Sequence, residues 1–320
     1  MGVNDEFDLI HQYFEPLSAG APGARGLLDD AATLSPSQGC ELVVTMDTVV
    51  AGVHYLADEK PTNIVAKLMG SNLSDLAAMG ATPRGFTLSC AWPKDIERDD
   101  IQAFAHAMGD WTQAYSFPLL GGDTVTTTGN AVFTICAFGD TPLGKAISRN
   151  GAKVGDDVYV TGSLGDGALG LLAAQKKLSE ISEDDQTYLA DRYRVPQPRV
   201  SVGQSLIGLA NACIDISDGL IQDLGHVAHA SNVQIDLQIS AIPLSDAANR
   251  IIESNPEMMS LVLSGGDDYE LAFTGPSVPD NCDVPITCIG KVVDGDPGVM
   301  ARATDGSLVE IAKSGYNHFA

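Results

Sequence analysis

Acidic residues placed after apolar, β-branched runs carry the strongest chemical signal in this chain. Leu42-Val43-Val44-Thr45-Met46 leads into Asp47, Pro118-Leu119-Leu120-Gly121-Gly122 into Asp123, and Cys213-Ile214 into Asp215, with Ser217-Asp218 just beyond. The pair Asp29–Asp30 precedes the first run, and Asp75 closes Asn72-Leu73-Ser74-Asp75 in a mostly apolar helical segment. The run before Asp47 reads as a buried strand, with Asp47 at or near its carboxyl end. A carboxylate there is expensive to bury unless it is paired or binds a cation. If the strands converge, Asp30, Asp47, Asp75, Asp123, Asp215 and Asp218 form one cage of hard oxygens. Such oxygens suit Mg²⁺, which keeps waters and shares its shell with phosphates. A single Asp after a strand is ordinarily a turn residue or helix cap. Four of them, three flanked by Gly, Ser or Thr, make independent capping the weaker account. Asp218-Gly219 reads equally as a cap for the next helix and as a metal ligand.

Glycine turns supply the second signal. Gly121-Gly122-Asp123-Thr124 permits close backbone approach to a phosphate or metal. Gly162-Ser163-Leu164-Gly165-Asp166-Gly167 precedes a helix and could seat an anion at its N-terminus, although it is no dinucleotide fingerprint. No G-x-x-x-x-G-K-[ST] occurs, which excludes a P-loop, and no G-x-S-x-G elbow supports a serine hydrolase. His54 stands on the loop after Asp47, where it is either substrate-facing or an ordinary loop histidine. His226 and His229 have helical spacing without a partnering acid pattern and read as surface residues. Gly265-Gly266-Asp267-Asp268 forms an acid-rich turn facing a polar ligand, while the aromatic tail from Tyr316 reads from composition as frayed packing.

These groups need elements to hold them. The spacing predicts helices over about 62–79, stopped by Gly80, and over 99–115, started by Asp99-Asp100 at its positive end. Strands are expected at 86–92, 117–120 and 131–138, the last two joined by a polar hairpin-like connection over 126–130. Two long helices among four strands indicate an α+β layer and not a doubly wound sheet. Around Pro142–Asp156 the chain turns basic and glycine-rich, which sets a boundary between domains 1–148 and 149–320. The second half reads as strands at 158–161, 214–216, 233–239, 269–274, 286–293 and 299–302. Helices are expected from the 162–167 glycine turn to about 177, then at 182–193, 200–211, 219–231, 246–254 and 257–263. No fixed period appears, so a solenoid is excluded.

The totals bound the partners. A chain of 320 residues accommodates two domains of about 150 each. Its 42 acids against 18 Lys and Arg give a net charge of −24, which argues against nucleic acid as a partner. An anionic substrate must instead be admitted through metal ions or a few placed cations. The six cysteines form no C-x-x-C pair and read as buried, reduced thiols. With no signal segment or membrane-length apolar run, a reducing cytoplasm is the expected compartment.

Taken together and in order, several stretches resemble the thiamine-monophosphate kinase family. They are LDDAATL, VVTMDTVVAGVHY, NLSDLAAMGATP, LLGGDT, ISRNGAKVGDDVYVTG, RVPQPR, CIDISDGLIQDLGHV, SGGDDYEL and GYNHF, spanning nearly the whole chain. The wider superfamily includes aminoimidazole ribonucleotide synthetase, selenophosphate synthetase and a hydrogenase maturation factor. The resemblance implies an amino-terminal α+β domain that dimerises through its sheet and a carboxy-terminal α/β-sandwich domain. It implies Asp30, Thr45, Asp47, Asp75, Asp123, Asp215 and Asp218 as Mg²⁺ ligands, with a backbone oxygen from Met46. Gly122, Asp123, Arg149 and Ser217 would contact ATP; His54, Asp267 and Tyr316 would contact thiamine phosphate. Asp47, Asp215 and Arg149 would act on the reacting phosphates. Three positions depart from the family pattern: Leu28 replaces a glycine, Met46 a threonine, and Asp267 a glutamate.

The implied reaction is ATP plus thiamine monophosphate giving ADP and thiamine diphosphate, within a homodimer. Phosphoryl transfer demands alignment and charge neutralisation more than covalent chemistry. A sister enzyme of the fold is the nearest rival. Selenophosphate synthesis calls for a reactive amino-terminal cysteine, whereas the first here is Cys40 in strand context; the maturation factor calls for a carboxy-terminal cysteine, whereas this sequence closes on Phe319-Ala320. A non-catalytic cation binder is the rival from another class, yet no EF-hand loop is present.

Overall fold

The computed structural model describes residues 6–178, 181–309 and 315–316. The chain divides into two compact units, one made of Met1–Leu76 with Ala81–Gly144 and the other of Ala77–Gly80 with Lys145–Ala320. Each is a mixed helix-and-sheet body of the α+β class.

The amino-terminal unit opens with α1 (Glu6–Leu9), which widens into a π-helical turn burying Tyr13 and Phe14. Its sheet is built from β1 (Cys40–Val50), β2 (Thr82–Pro93), β3 (Leu119–Thr127) and β4 (Val132–Pro142), in the order β1-β4-β2-β3. Helices α2 (Pro61–Ala78) and α3 (Arg98–Tyr115) complete it. As the acids at its start anticipate, α3 carries Asp99 and Asp100 in its first turn, and it stops where Ser116 turns left-handed at φ 49. An aromatic cluster joins helix and sheet: Trp92 meets Phe104 and Phe133 edge-on at centroid distances of 5.2 and 4.7 Å. The indole N–H is not stranded by that burial, because it donates to Thr124 Oγ1 at 3.0 Å.

Two expectations fail here. First, β1 is an edge strand and not a buried one. Leu42, Val44 and Met46 are 41%, 56% and 65% exposed, while Val43 and Val49 point inward. An apolar run cannot by itself distinguish a central strand from an edge strand with one uncovered face. Asp47 is also interior to β1, because pairing with β4 continues through Val50↔Val132. Second, β3 and β4 form no hairpin: β2 lies between them, antiparallel to β4 and parallel to β3. Thr126 and Thr127 belong to β3 itself.

The carboxy-terminal unit has a six-stranded sheet in the order β10-β7-β9-β5-β8-β6. These strands are β5 (Asp157–Thr161), β6 (Ala212–Asp215), β7 (Gln234–Gln238), β8 (Leu271–Gly275), β9 (Ile286–Val293) and β10 (Gly298–Arg302). All neighbours run antiparallel except β10 and β7. Its helices are α4 (Asp166–Ala174), α5 (Glu183–Arg194), α6 (Val200–Ser205), α7 (Leu220–Ser231), α8 (Asp246–Ser254) and α9 (Met259–Ser264). Helix α6 is shorter than its periodicity predicts; turns follow it, and Gly208 adopts φ +80. The Ser182 side chain caps α5 by accepting the Asp185 N–H at 3.1 Å. Leu169, Leu189, Ile214, Leu224, Ile235 and Ile289 are among the side chains of one continuous core.

Of the six cysteines, all unpaired, only Cys90 and Cys213 are buried. The expectation of buried thiols holds for these two alone: Cys288 is exposed and Cys40, Cys136 and Cys282 are intermediate. Strand residues alternate faces, so an apolar neighbourhood in sequence does not decide which way a thiol points.

Helices α4 and α5 approach so closely that only glycine fits at position 170. A Cβ there would lie 2.1 Å from the Leu189 carbonyl oxygen and 2.8 Å from Tyr193 Cβ. Backbone cannot swing aside as a side-chain tip can. Gly170→Ala should therefore destabilise the unit by about 1–3 kcal/mol through overpacking, read as a lower urea midpoint. An unchanged midpoint would mean that the helix pair can spread.

Candidate active site

In the amino-terminal unit, β1 and α2 present the first group of candidates. Thr45 and Asp47 share one face of β1, and side-chain alternation puts Met46 on the other. Thr45 Oγ1 donates to Asp75 Oδ2 at 2.5 Å, and the Asp47 N–H donates to Asn72 Oδ1 at 3.2 Å. Asn72 is fully buried and donates in turn to the Leu68 carbonyl at 2.8 Å. Thr45, Asp47 and Asp75 are thus brought together by hydrogen bonds between strand and helix, with Asn72 as an organiser that the sequence reading did not assign. Its signal was available, since an Asn three residues before the helical Asp lies on the same helix face.

Asp30 and Asp123 meet in a second place, a cavity of about 160 Å³ whose wall also includes Asp29, Gly122 and Cys90. Phe14, Leu27 and Leu119 give this cavity an apolar side. Glycine at 122 answers to packing: a Cβ would sit 2.0 Å from the Leu88 carbonyl oxygen, whereas at Gly121 it would meet nothing within 4 Å. Burial and the nearby Asp123 charge push the Cys90 thiol well above its usual range, so it stays protonated. His54 is half-buried, and its Nδ1 accepts the Val50 N–H at 3.1 Å. That bond fixes the neutral tautomer, with the proton on Nε2.

The carboxy-terminal unit gathers a third group around the loop between β6 and α7. Asp215 is buried at the end of β6. Asp223, in the first turn of α7, accepts the N–H groups of Ser217, Asp218 and Gly219 on one oxygen, each at 3.0 Å. The helix-capping alternative for Asp218 is not realised: among the described residues no side chain caps the start of α7, and Asp218 Oδ2 accepts from Gln222 Nε2 at 3.1 Å. Burial raises Asp223 to about 7 against the pull of its three donors. The Asp267 N–H donates to the Ser217 carbonyl at 2.9 Å, and the Tyr316 N–H to the Asp218 carbonyl at 3.0 Å. Ser217, Asp218, Asp267 and Tyr316 are thereby neighbours. The tail beyond Tyr316 lies outside the described residues. The Arg149 backbone lies at the opposite end of α7, where its carbonyl accepts from Ser231 Oγ at 3.1 Å, while the preceding Ser148 carbonyl accepts the Cys213 N–H of β6 at 3.1 Å. Twelve helical residues separate the two ends, roughly 18 Å along the axis.

The acid-rich turn at 264–271 is mostly inward-facing. Asp268 is buried and accepts the N–H groups of Gly165 and Gly167 at 2.8 and 2.9 Å. This corrects the reading of the 162–167 turn as an anion seat, because the protein's own carboxylate occupies those donors. Glu270 is fully buried, accepts from Thr161 Oγ1 and Arg199 Nε at 2.6 Å each, and pairs with Arg192 at 3.1 Å. Asp267 and Tyr269 take left-handed backbone angles, φ 71 and 52, within this turn. Such a conformation in non-glycine residues persists only where surroundings impose it.

Among the described residues, no group of three or more His, Cys, Asp or Glu side chains is gathered closely enough to hold a metal ion. That arrangement still suits Mg²⁺ on a nucleotide, which takes one or two carboxylates together with waters and phosphate oxygens. The donor sets present, Thr45 with Asp75 and Asp30 with Asp123, are all hard oxygens. No described helix is long and apolar enough to cross a membrane.

Comparison with known proteins bears directly on this arrangement. Residues 28–141 match AIR synthase related protein, N-terminal domain, and residues 153–303 match its C-terminal domain. The thiamine-monophosphate kinase of Escherichia coli (strain K12) is 39% identical over 324 residues, covering 98% of each chain. The chain belongs to the thiamine-monophosphate kinase family. The Caulobacter vibrioides member is also 39% identical, over 92% of this chain and 86% of its own. The crystal structure of the kinase from Stenotrophomonas maltophilia K279a is 37% identical, with a TM-score of 0.78 over 88% of this chain and 91% of that one. The structure of AaThiL complexed with AMPPCP and TMP superposes at a TM-score of 0.79, with 31% identity over 98% and 97% of the two chains. Hydrogenase maturation protein HypE, at 18% identity and a TM-score of 0.77, shares the fold.

Within the family fold, Asp268 makes stability depend on pH. Burial outweighs its two N–H donors and raises its carboxyl from the ordinary 3.8 to about 8. The folded state then holds a proton that the unfolded chain releases, so stability falls as pH rises from about 4 to 8. Asp157 and Asp185 shift downward and act below that window. Between these limits, Asp268→Asn should show a shallower fall of Tm with pH than the parent. Parallel slopes would remove Asp268 as the source.

Proposed function

We propose that this chain transfers the γ-phosphoryl group of ATP to thiamine monophosphate, giving ADP and thiamine diphosphate. The observation that carries this reading is the 39% identity to a thiamine-monophosphate kinase across 98% of both chains. The likeness to a family structure complexed with AMPPCP and TMP supports the same substrate pair. The acceptor's phosphate oxygen is itself a nucleophile, so the protein has to align two anions and offset their repulsion.

In this reading Gly122, Asp123, Arg149 and Ser217 contact ATP, and the apolar wall of the cavity beside Asp123 suits a flat base. His54, Asp267 and Tyr316 contact thiamine monophosphate; the Nε2 proton of His54 suits a phosphate oxygen. Tyr316 offers an aromatic face to the cationic thiazolium. Asp30, Thr45, Asp47, Asp75, Asp123, Asp215 and Asp218, with the Met46 backbone oxygen, would hold Mg²⁺, which when bound supplies the positive charge that an acidic chain lacks. Asp47, Asp215 and Arg149 then lie on the reacting phosphates. Residues 1–148 form the ATP, Mg²⁺ and dimerisation domain, and residues 149–320 complete the site. All six cysteines are free, which suits a reducing cytoplasm.

The decisive measurement is ADP release from ATP and Mg²⁺ with and without thiamine monophosphate. Release should depend on the acceptor and vanish in Asp47→Asn, which removes one negative ligand without changing shape. Acceptor-independent release would sink the substrate reading; variant turnover within about threefold of the parent would sink the role of Asp47.

The protein also works as a homodimer built through its amino-terminal sheet. Support comes from the uncovered Leu42, Val44 and Met46, whose exposure a partner sheet would relieve. Light scattering should give twice the 33.5 kDa chain mass, and Val44→Lys should shift it to one. A parent already monomeric at micromolar concentration would refute the dimer.

A further inference from the structure

The loop Ser217-Asp218-Gly219 turns three consecutive N–H groups toward one point at the N-terminus of a twelve-residue helix. Converging backbone donors at a helix start are an ordinary seat for a phosphate or other anion. Here the seat is filled from within by Asp223, which is buried and carries no other assigned role. The far side of the loop is gripped as well. The Tyr269 N–H donates to the Ile216 carbonyl at 2.8 Å and the Asp267 N–H to that of Ser217 at 2.9 Å. Glycine is required on both flanks: a Cβ on Gly266 would stand 2.1 Å from the Ser217 carbonyl oxygen, and one on Gly219 would stand 2.8 Å from that of Ser264. The polar backbone of this loop is thus committed, while Ser217 and Asp218 stay only partly buried.

We infer that Asp223 is a positioning residue: its carboxyl group locks the loop carrying Ser217 and Asp218 and fills the backbone seat that a substrate phosphate would otherwise enter. This rests on the kinase reading above and deepens it. A phosphate reaching this loop must then be met by the Ser217 hydroxyl and by a cation on Asp218, not by backbone N–H groups. Two groups crowding one seat would also misplace the nucleotide. An Asp in the first turn of a helix satisfies the helix dipole at the same time.

The test uses the full chain and two variants. Asp223→Asn keeps the shape and replaces the carboxyl by an amide, while Asp223→Ala removes the group and leaves a space that formate can enter. Amide hydrogen exchange at residues 217–219 should quicken by about 10- to 100-fold in Asp223→Asn, as expected for weakening the three bonds that converge on one oxygen. Asp223→Ala should lose turnover by about 100-fold and regain about tenfold with added formate, whereas formate leaves the parent unchanged. Parent-like exchange at 217–219 in Asp223→Asn would overturn the proposal, and so would a folded Asp223→Ala that formate neither slows in exchange nor restores in turnover. Should Asp223→Ala fail to fold, the exchange of Asp223→Asn decides alone. A parent that released no ADP with thiamine monophosphate would defeat the kinase reading, while the exchange result would still decide whether Asp223 holds the loop.

Discussion

An internal carboxyl group set against backbone N–H groups is the interaction on which the carboxy-terminal unit depends. Both of its glycine-containing strand-to-helix turns are closed this way, one by Asp268 on Gly165 and Gly167 and the other by Asp223 on Ser217, Asp218 and Gly219. Burying an ionisable group is unfavourable unless several donors meet it. These donors are supplied by main chain that would otherwise need water or ligand. The two turns are linked in turn, because residues 265–269 carry Asp268 and also bond to the 216–217 backbone. The left-handed angles at Asp267 and Tyr269 are what this double attachment imposes.

The amino-terminal unit solves a related problem differently. Its candidate carboxylates are held by side chains: Thr45 on Asp75, and Asn72 beneath the backbone of Asp47. Helix α2 is buried almost all round, so its polar residues must find partners inside. Hydroxyl and amide groups of this kind can give way to a cation without leaving a charge stranded. A carboxylate locked to three N–H groups cannot. Residues expected to bind and residues expected to brace are separated by this difference in partners.

Much of this organisation was legible in the sequence. Period and caps placed α3, α7 and the α+β character, and the recurring strand-then-Asp pattern named the carboxylates. What escaped was decided by distant contacts. Whether the apolar run of β1 is central or at an edge depends on how many strands flank it, which no local pattern records. The supposed hairpin at 126–130 failed because β2, forty residues earlier in sequence by its start at Thr82, inserts between β3 and β4. Asp268 read as part of a turn facing a polar ligand and Asp223 drew no reading of its own, since their partners are backbone atoms and carry no residue signature. Spacing held one clue for Asp223, which follows Ser217-Asp218-Gly219 by four to six residues. For Asp268 the partners lie more than a hundred residues away.

The Glu270 cluster has a temporal side. Its arginine Arg199 is separated from it by 71 residues, and Thr161 by 109. At about 5–20 residues per second of synthesis, some 4–14 s pass between the emergence of Arg199 and that of Glu270. During that interval Arg199 exists without that carboxylate, whereas Arg192 already has Asp166, which it faces at 3.6 Å in the finished unit. The unit's interior charge balance is therefore completed late, when β8 arrives beside β5 and β6. Helices α4 to α7 can form before then, ahead of the glutamate that joins Thr161 to Arg192 and Arg199.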